Sequence, residues 1–483
     1  MTNATTGGKW ADTELSELVE LLRSLIRIRS VNPPGDEILA ARYLEGVLTD
    51  EGLAPTVVEP FPGRGSIVVR VRGDGTGGDP LLLLSHLDVV PADPEGWTHD
   101  PFGGDLADGY IWGRGAVDMK SMVAMEVQVM RRLARAARAA GRDPVTDSIP
   151  GLRRDVIFCS TADEEAGGWQ GADWIVNEHP DWLRAAGALN EAGAISTTYG
   201  GVRFYPIQVA EKGFVVYKIR VKGRWGHGSV PTQDNAAVLA ARAVTRLSEP
   251  GPIRLTAPVA AMIQQATPHL AVRAVKAIAD LAAAAAASTT QASGEPAPVP
   301  DQDRIEATLR ELCDPVLART VSAMIHDTVS VGIFRAGVKY NVIPGLAELE
   351  IDCRTLPGTA EPAMLEELRR RLGDDLWDRC EVECEQTGAA VSAPLDGSLY
   401  RILEAVVKTH DPEGVPLPFL APFATDAKHL ARIGVPTYGF SPLQAQNRDG
   451  LLALMHADDE RVSVEALRFG FPALWDAVSR FTT

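Results

Sequence analysis

Ser85-His86-Leu87-Asp88-Val89-Val90-Pro91 directly follows four leucines, Leu81 to Leu84. On extended backbone, residues i and i+2 project to the same side, so His86 and Asp88 can leave the strand end together. A metal-binding histidine usually gives its second ring N–H to a carboxylate or carbonyl, which fixes its tautomer, and Asp88 suits that task. Gly113-Arg114-Gly115-Ala116-Val117-Asp118-Met119-Lys120 sets an acid just before a helical stretch, where its plain reading is a helix N-cap. Thr161-Ala162-Asp163-Glu164-Glu165-Ala166-Gly167-Gly168 follows a second apolar strand. Three adjacent acids repel one another unless a cation sits among them. Asn190-Glu191-Ala192-Gly193 adds another acid after an apolar stretch, and Leu454-Met455-His456-Ala457-Asp458-Asp459-Glu460 places a histidine ahead of an acidic turn. Each stretch alone has a dull explanation. Together they supply His86, Asp118, Glu165, Glu191 and His456, with Glu164 to spare. Two divalent ions ~3.5–4 Å apart need a bridging carboxylate and terminal histidine or carboxylate ligands on each side. Nitrogen and oxygen donors without thiolate suit zinc, with cobalt or manganese as substitutes.

The elements that must position these residues follow from periodicity. Leu81–Leu84 and Val156–Cys159 are short, wholly apolar runs, the pattern of central strands buried on both faces of an α/β sheet. Ligand sites in open α/β sheets gather at the carboxyl ends of such strands. Leu15, Leu18, Leu22, Leu25 and Ile26 recur at helical spacing, so residues 12–29 read as an amphipathic helix, broken by Asn32-Pro33-Pro34-Gly35. Helices are also expected at about 37–51 and 119–140. Residues 1–200 therefore read as the first part of an α/β catalytic domain with a mixed, mostly parallel sheet. From 201 to 357 the pattern changes to half-exposed strands (215–221, 329–333, 347–353) with helices at about 235–247 and 304–326, an α+β domain inserted into the first. It includes an Ala-rich helix at 268–287 and a linker-like segment, Ser288 to Pro300. Residues 358–483 return to the catalytic domain, with helices near 362–372, 397–409 and 463–480.

Composition narrows the partners. A formal charge of −17 over 483 residues repels nucleic acid and anionic membranes. No apolar run approaches the ~20 residues of a membrane span, and the first residues lack the apolar core of a secretory signal. A cytoplasmic location is the expectation. Five cysteines without a paired zinc-binding pattern read as reduced thiols. There is no G-x-S-x-G and no Walker motif.

With these stretches in hand, the chain resembles the peptidase M20 family of metallopeptidases and acylamino-acid deacylases. The resemblance is carried by SHLDVVP, GRGAVDMK, TADEEAGG, NEAG, GHGSVP, KYNVIPGLAELEIDCRTLPG, TDAKHL and MHADDERVSVE, which span nearly the whole chain in the family's order. It implies a two-zinc hydrolase that cuts an amide or peptide bond beside a free carboxylate. His86 and Glu191 would complete one zinc site, Glu165 and His456 the other, with Asp118 bridging. Asp88 would orient His86, and Glu164 would be the general base. A cis peptide after Asp118 goes with the family pattern. The insert would be a lid or dimerisation domain, whose His227 polarises the scissile carbonyl, in dimeric relatives from the neighbouring subunit. A homodimer is therefore an expectation. Asn341 would help hold the carbonyl, and Arg354 would grip the substrate carboxylate with a planar, always-charged guanidinium. Thr425 lies in Pro422-Phe423-Ala424-Thr425-Asp426, where many relatives carry two glycines, and it is expected at the substrate pocket. Lys428 stands where arginine is common. The substrate is a small molecule, a peptide or an N-acyl amino acid. The alternative is a catalytically silent metal-binding protein on the same fold.

Overall fold

Four consecutive leucines make sense once their neighbours are known. In the computed structural model, which describes residues 12–269, 315–445 and 451–483, strand Leu81–His86 is buried along its whole length. Side chains on a strand alternate between faces. Leu81 and Leu83 join a core with Leu22, Met122, Val127 and Phe471 on one side of the sheet. Leu82 and Leu84 join Ile175, Val176 and Leu183 on the other. Each such side chain contributes roughly 1.5–3 kcal/mol when fully buried.

Within the described residues the chain divides into two compact units. One comprises Met1–Val209, Ala393–Phe419 and Thr425–Thr483, the other Ala210–Ser392 and Leu420–Ala424. The first holds a mixed sheet in the order Thr56–Phe61, Arg64–Val71, Val156–Thr161, Leu81–His86, Gly187–Asn190, Thr437–Gly439, Val202–Glu211. Its middle is parallel. His86 pairs with Thr161, Leu83 with Leu189, and Gly439 with Asn190. Antiparallel strands flank this centre. Helices Asp12–Arg27, Lys120–Ala139 and Val464–Thr482 supply buried faces to the larger core.

The second unit is a four-stranded antiparallel sheet, ordered Thr328–Ala336, Leu346–Thr355, Gly213–Lys222, Cys380–Gly388. Val215, Tyr217, Ile219 and Val221 alternate onto one face and pack with Leu349, Ile351, Leu368 and Leu372. The intervening Lys218 and Arg220 face Glu348 and Glu383 in ion pairs. Helices Ala236–Leu247 and Glu361–Trp377 cover the apolar face. The insert expected at 201–357 thus differs at both ends: it starts within strand Val202–Glu211 and runs to Ser392. Its late helix and edge strand lack a pattern that separates them from α/β elements. The helix expected at 268–287 beyond His269, the linker to Pro300, and residues 304–314 of the next helix lie outside the described residues. Among the described residues, no helix is long and apolar enough to cross a membrane, and Cys159, Cys353, Cys380 and Cys384 are free thiols.

Candidate metal centre

Parallel pairing brings three strand ends to one edge of the sheet. His86 closes its strand, the Glu164–Ala166 turn follows Thr161, and Glu191 follows Asn190. Asp118 arrives from the glycine-rich loop ahead of helix Lys120–Ala139. His456 arrives from the loop ahead of strand Arg461–Ser463, which pairs with Tyr110–Trp112. Asp118 is not an N-cap: Met119 occupies that position and no side chain caps the helix. The Asp118–Met119 peptide is cis.

The five predicted ligands converge in two overlapping triads, His86–Asp118–Glu191 and Asp118–Glu165–His456. His86 Nε2 lies 3.3 Å from Asp118 Oδ1 and 3.6 Å from Glu191 Oε2. His456 Nε2 lies 3.3 Å from Asp118 Oδ2 and 3.2 Å from Glu165 Oε2. Asp118 therefore offers one oxygen to each imidazole. Donor atoms ~2.0–2.1 Å from a tetrahedral divalent ion stand about 3.3–3.4 Å apart, which matches these separations. Glu165 Oε1 is buried without a hydrogen-bond partner among the described residues. An acceptor left unpaired in this place fits a cation.

The electrostatics ask for the same thing. Burial opposes a charge on His86, yet Glu191, Asp118 and Asp88 outweigh it and hold the imidazole protonated well above its usual range. Hydrogen bonds to Asp118 and Glu165 push His456 up to about 10. Burial lifts Glu191 to about 7 despite His86, and burial with the nearby Glu191 pushes the Glu164 carboxyl well up. Five acids crowded out of water (Asp88, Asp118, Glu164, Glu165 and Glu191) favour protons on both imidazoles and on Glu164 and Glu191, and divalent charge relieves that crowding. Non-glycine residues at positive φ cluster here: Asp163 (71°), Ala192 (64°) and His456 (61°), a cost typical of functional sites.

Supporting contacts refine one expectation. His86 Nδ1 meets the main-chain oxygen of Asp88 at 3.0 Å, closer than the Asp88 carboxylate at 3.5 Å. Its N–H donated to that carbonyl leaves Nε2 facing the cluster. The buried Asp88 carboxylate instead accepts from the backbone N–H of Glu164 (3.1 Å) and Glu165 (3.0 Å) and from Asn32 Nδ2 (2.8 Å). Asn32 is held in turn by Arg64 Nη2 at 2.9 Å, and Arg64 Nη1 by Glu37 at 2.6 Å. Sequence reasoning took Asn32 for a helix breaker and gave Arg64 no role. It also gave none to Glu460, whose carboxylate accepts from the N–H of Asp118.

Thr425 is buried, its hydroxyl accepting from Asn190 Nδ2 at 3.1 Å and from Ala427 N at 3.2 Å, so it braces the strand end before Glu191. His227, Asn341 and Arg354 lie in the second unit. Gly226 and His227 pair with Ile343 and Val342. His227 Nδ1 accepts from Ser229 N at 3.2 Å and touches Ser229 Oγ at 2.7 Å, which puts the ring proton on Nε2. Gly228 N donates to Asn341 O at 2.9 Å, and a Cβ on Gly228 would stand 3.0 Å from the Asn341 backbone. Arg354 is anchored through Nε to Asp352 (3.0 Å), with its guanidinium over Phe214.

A mixed α/β sheet whose parallel edge gathers imidazoles and carboxylates at metal-ligand spacing fits a metal-dependent hydrolase. The sequence profile of peptidase family M20/M25/M40 matches residues 82–480. The chain is 27% identical to the N-fatty-acyl-amino acid synthase/hydrolase PM20D1 of Xenopus tropicalis, over 95% of this chain and 84% of that protein. It is 26% identical to aminoacylase-1 of Sus scrofa, over 92% of this chain and 90% of that one. The fold is similar to that of an M20 family metallo-carboxypeptidase, Sso-CP2 from Sulfolobus solfataricus, with a TM-score of 0.68, 16% identity, and coverage of 98% of this chain and 100% of the other. The chain belongs to peptidase family M20/M25/M40 and is a metal-dependent hydrolase of amide or peptide bonds.

Proposed function

We propose that this chain is a two-zinc hydrolase that releases an amine from an N-acyl amino acid or a short peptide with a free carboxylate. The observation that carries the reading is Asp118, with one carboxylate oxygen turned to His86 and the other to His456. His86, Asp118 and Glu191 would hold one ion and Asp118, Glu165 and His456 the second. The all-nitrogen-and-oxygen donor set suits zinc, with cobalt or manganese able to replace it. When bound, such ions lower the pKa of water and draw charge from a carbonyl oxygen. The names of the two relatives favour N-acyl amino acids over dipeptides.

The protein's own residues do the rest. Glu164 is assigned to take a proton from water and return it to the leaving nitrogen, and burial with the nearby Glu191 raises its carboxyl above the ordinary range, in the direction such a base needs. Asp88 holds the backbone of Glu164 and Glu165 in register. His227, with its ring proton on Nε2, is assigned as donor to the scissile carbonyl, and Asn341 as its neighbour in that task. Arg354, fixed by Asp352, is assigned to the substrate carboxylate. Thr425 acts through the position it gives Asn190 and Glu191.

The test is amine release by zinc-loaded protein across matched N-acyl amino acids and dipeptides, each with a free and an amidated α-carboxylate. Release should require the free carboxylate, and Glu164→Gln should lower turnover by ~10²–10⁴-fold with the metals retained. Wild-type turnover in that variant refutes the role of Glu164. Bound zinc without release on any substrate supports the silent binding protein instead.

A further inference from the structure

Glu460 has no part in the reaction outlined above, yet it is fully buried against the loop that carries Asp118. Its Oε1 accepts from Val117 N at 2.7 Å and from Asp118 N at 3.0 Å. Its Oε2 accepts from Gly115 N at 3.0 Å and from Arg114 Nη1 at 2.6 Å. The Glu460 main-chain oxygen also accepts from Gly113 N at 2.9 Å. All four side-chain partners are donors, and an ionised carboxylate is a pure acceptor, so both oxygens are committed to one short loop. The same stretch of chain carries His456 four residues earlier, with His456 and Asp459 both at positive φ. One loop therefore brings a metal-ligand candidate and the group that fixes the backbone of the shared one.

We propose that Glu460 is a positioning residue for the bridging aspartate: it sets the Asp118 backbone so that one carboxylate oxygen faces each imidazole, and its neutralisation weakens both ion sites together. This rests on the two-metal reading. Loss of His456 would strip one triad and spare His86–Asp118–Glu191. Loss of Glu460 acts on the ligand that the triads share, so its signature is a joint fall in affinity. A purely structural contact would lower stability and leave the affinity of the folded protein unchanged.

The experiment is a zinc titration of metal-free wild type, Glu460→Gln, Glu460→Asp and Arg114→Met against a competing chromophoric chelator. It is run at a temperature where circular dichroism shows each protein folded. Wild type should take up two zinc ions per chain. Glu460→Gln should lose ~10–100-fold in affinity at both sites, because its amide NH2 must face N–H donors. Glu460→Asp keeps the charge with a shorter reach and should fall between the two, and it carries the test if the glutamine variant does not fold. Arg114→Met spares the three amide bonds and should keep wild-type affinity. Two wild-type sites in folded Glu460→Gln, a loss at one site only, or an equal loss in Arg114→Met overturns the role of Glu460. Wild type that takes up fewer than two ions overturns the two-metal reading itself.

Discussion

Asp88→Asn separates two jobs that one residue performs with different atoms. Its carboxylate takes three buried hydrogen bonds, from Glu164 N, Glu165 N and Asn32 Nδ2. Its main-chain oxygen serves His86 Nδ1. The best-placed asparagine keeps its oxygen where Oδ2 meets Glu165 and Asn32 and turns its NH2 toward the Glu164 amide. One charge-assisted bond, worth ~1.5–3 kcal/mol, is lost, and two more weaken by ~1 kcal/mol each as their acceptor becomes neutral. The expected loss of stability is about 3.5–5 kcal/mol, read from urea unfolding. The His86 tautomer survives, so zinc uptake should persist. Glu164 sits on the displaced amide, and kcat should fall ~10²-fold, the usual cost of a misplacement near 1 Å, with KM little changed. If zinc uptake disappears with the carboxylate, Asp88 orients His86 through its side chain and the reasoning is wrong. A variant with wild-type kcat and stability refutes it equally.

Two further outcomes are expected. Glu51 is buried beneath Arg131, Arg135 and Arg138, whose hydrogen bonds overcome burial and hold its carboxyl near 2. Measured against ~4.3 in the unfolded chain, the ceiling is ~3 kcal/mol, discounted to about 1–2 kcal/mol because Arg135 and Arg138 are partly exposed. A depressed acid stabilises above its unfolded pKa and loses that contribution as pH falls through its folded value. The gap between wild type and Glu51→Gln in urea should therefore be full at about pH 7 and shrink below about pH 4; a gap independent of pH removes the argument. Dialysis against a chelator should abolish amine release, zinc should restore it, and far-UV circular dichroism should stay constant, because apolar clusters hold the fold. Full activity in verified metal-free protein would contradict the metal assignment.

Four of the five ligand candidates stand out in the sequence because each follows an apolar strand or precedes a helix, signals that are local, while His456 is marked only by the acidic turn after it. Leu81–Leu84 and Val156–Cys159 announced the parallel centre for the same reason. What stayed hidden has partners far along the chain. Asn32 next to two prolines looks like a helix stop, and only the fold puts it on Asp88. Arg64 carries no signal of its own in the sequence, yet it is buried among Glu37, Asn32 and Asp163. Glu460, third in a run of acids, looks like solvated surface. Lys120 and Lys212 are buried with their ammonium groups on main-chain carbonyls, a use of lysine that no periodicity reveals. The end of the insert was missed because helix Glu361–Trp377 has an ordinary amphipathic pattern, and only strand pairing shows which sheet it covers.

The contact between Glu460 and Asp118 closes a span of 342 residues. Closing so long a loop is cheap at equilibrium, since each doubling of length costs only ~0.6 kcal/mol, but it orders events in time. A chain synthesised from its N-terminus presents His86, Asp118, Glu165 and Glu191 long before His456 exists. Until synthesis reaches His456 and Glu460, Asp118 has neither the second imidazole beside it nor the carboxylate that accepts from its backbone N–H. On the proposed two-metal reading, hydrolysis would wait until synthesis has passed His456 and Glu460.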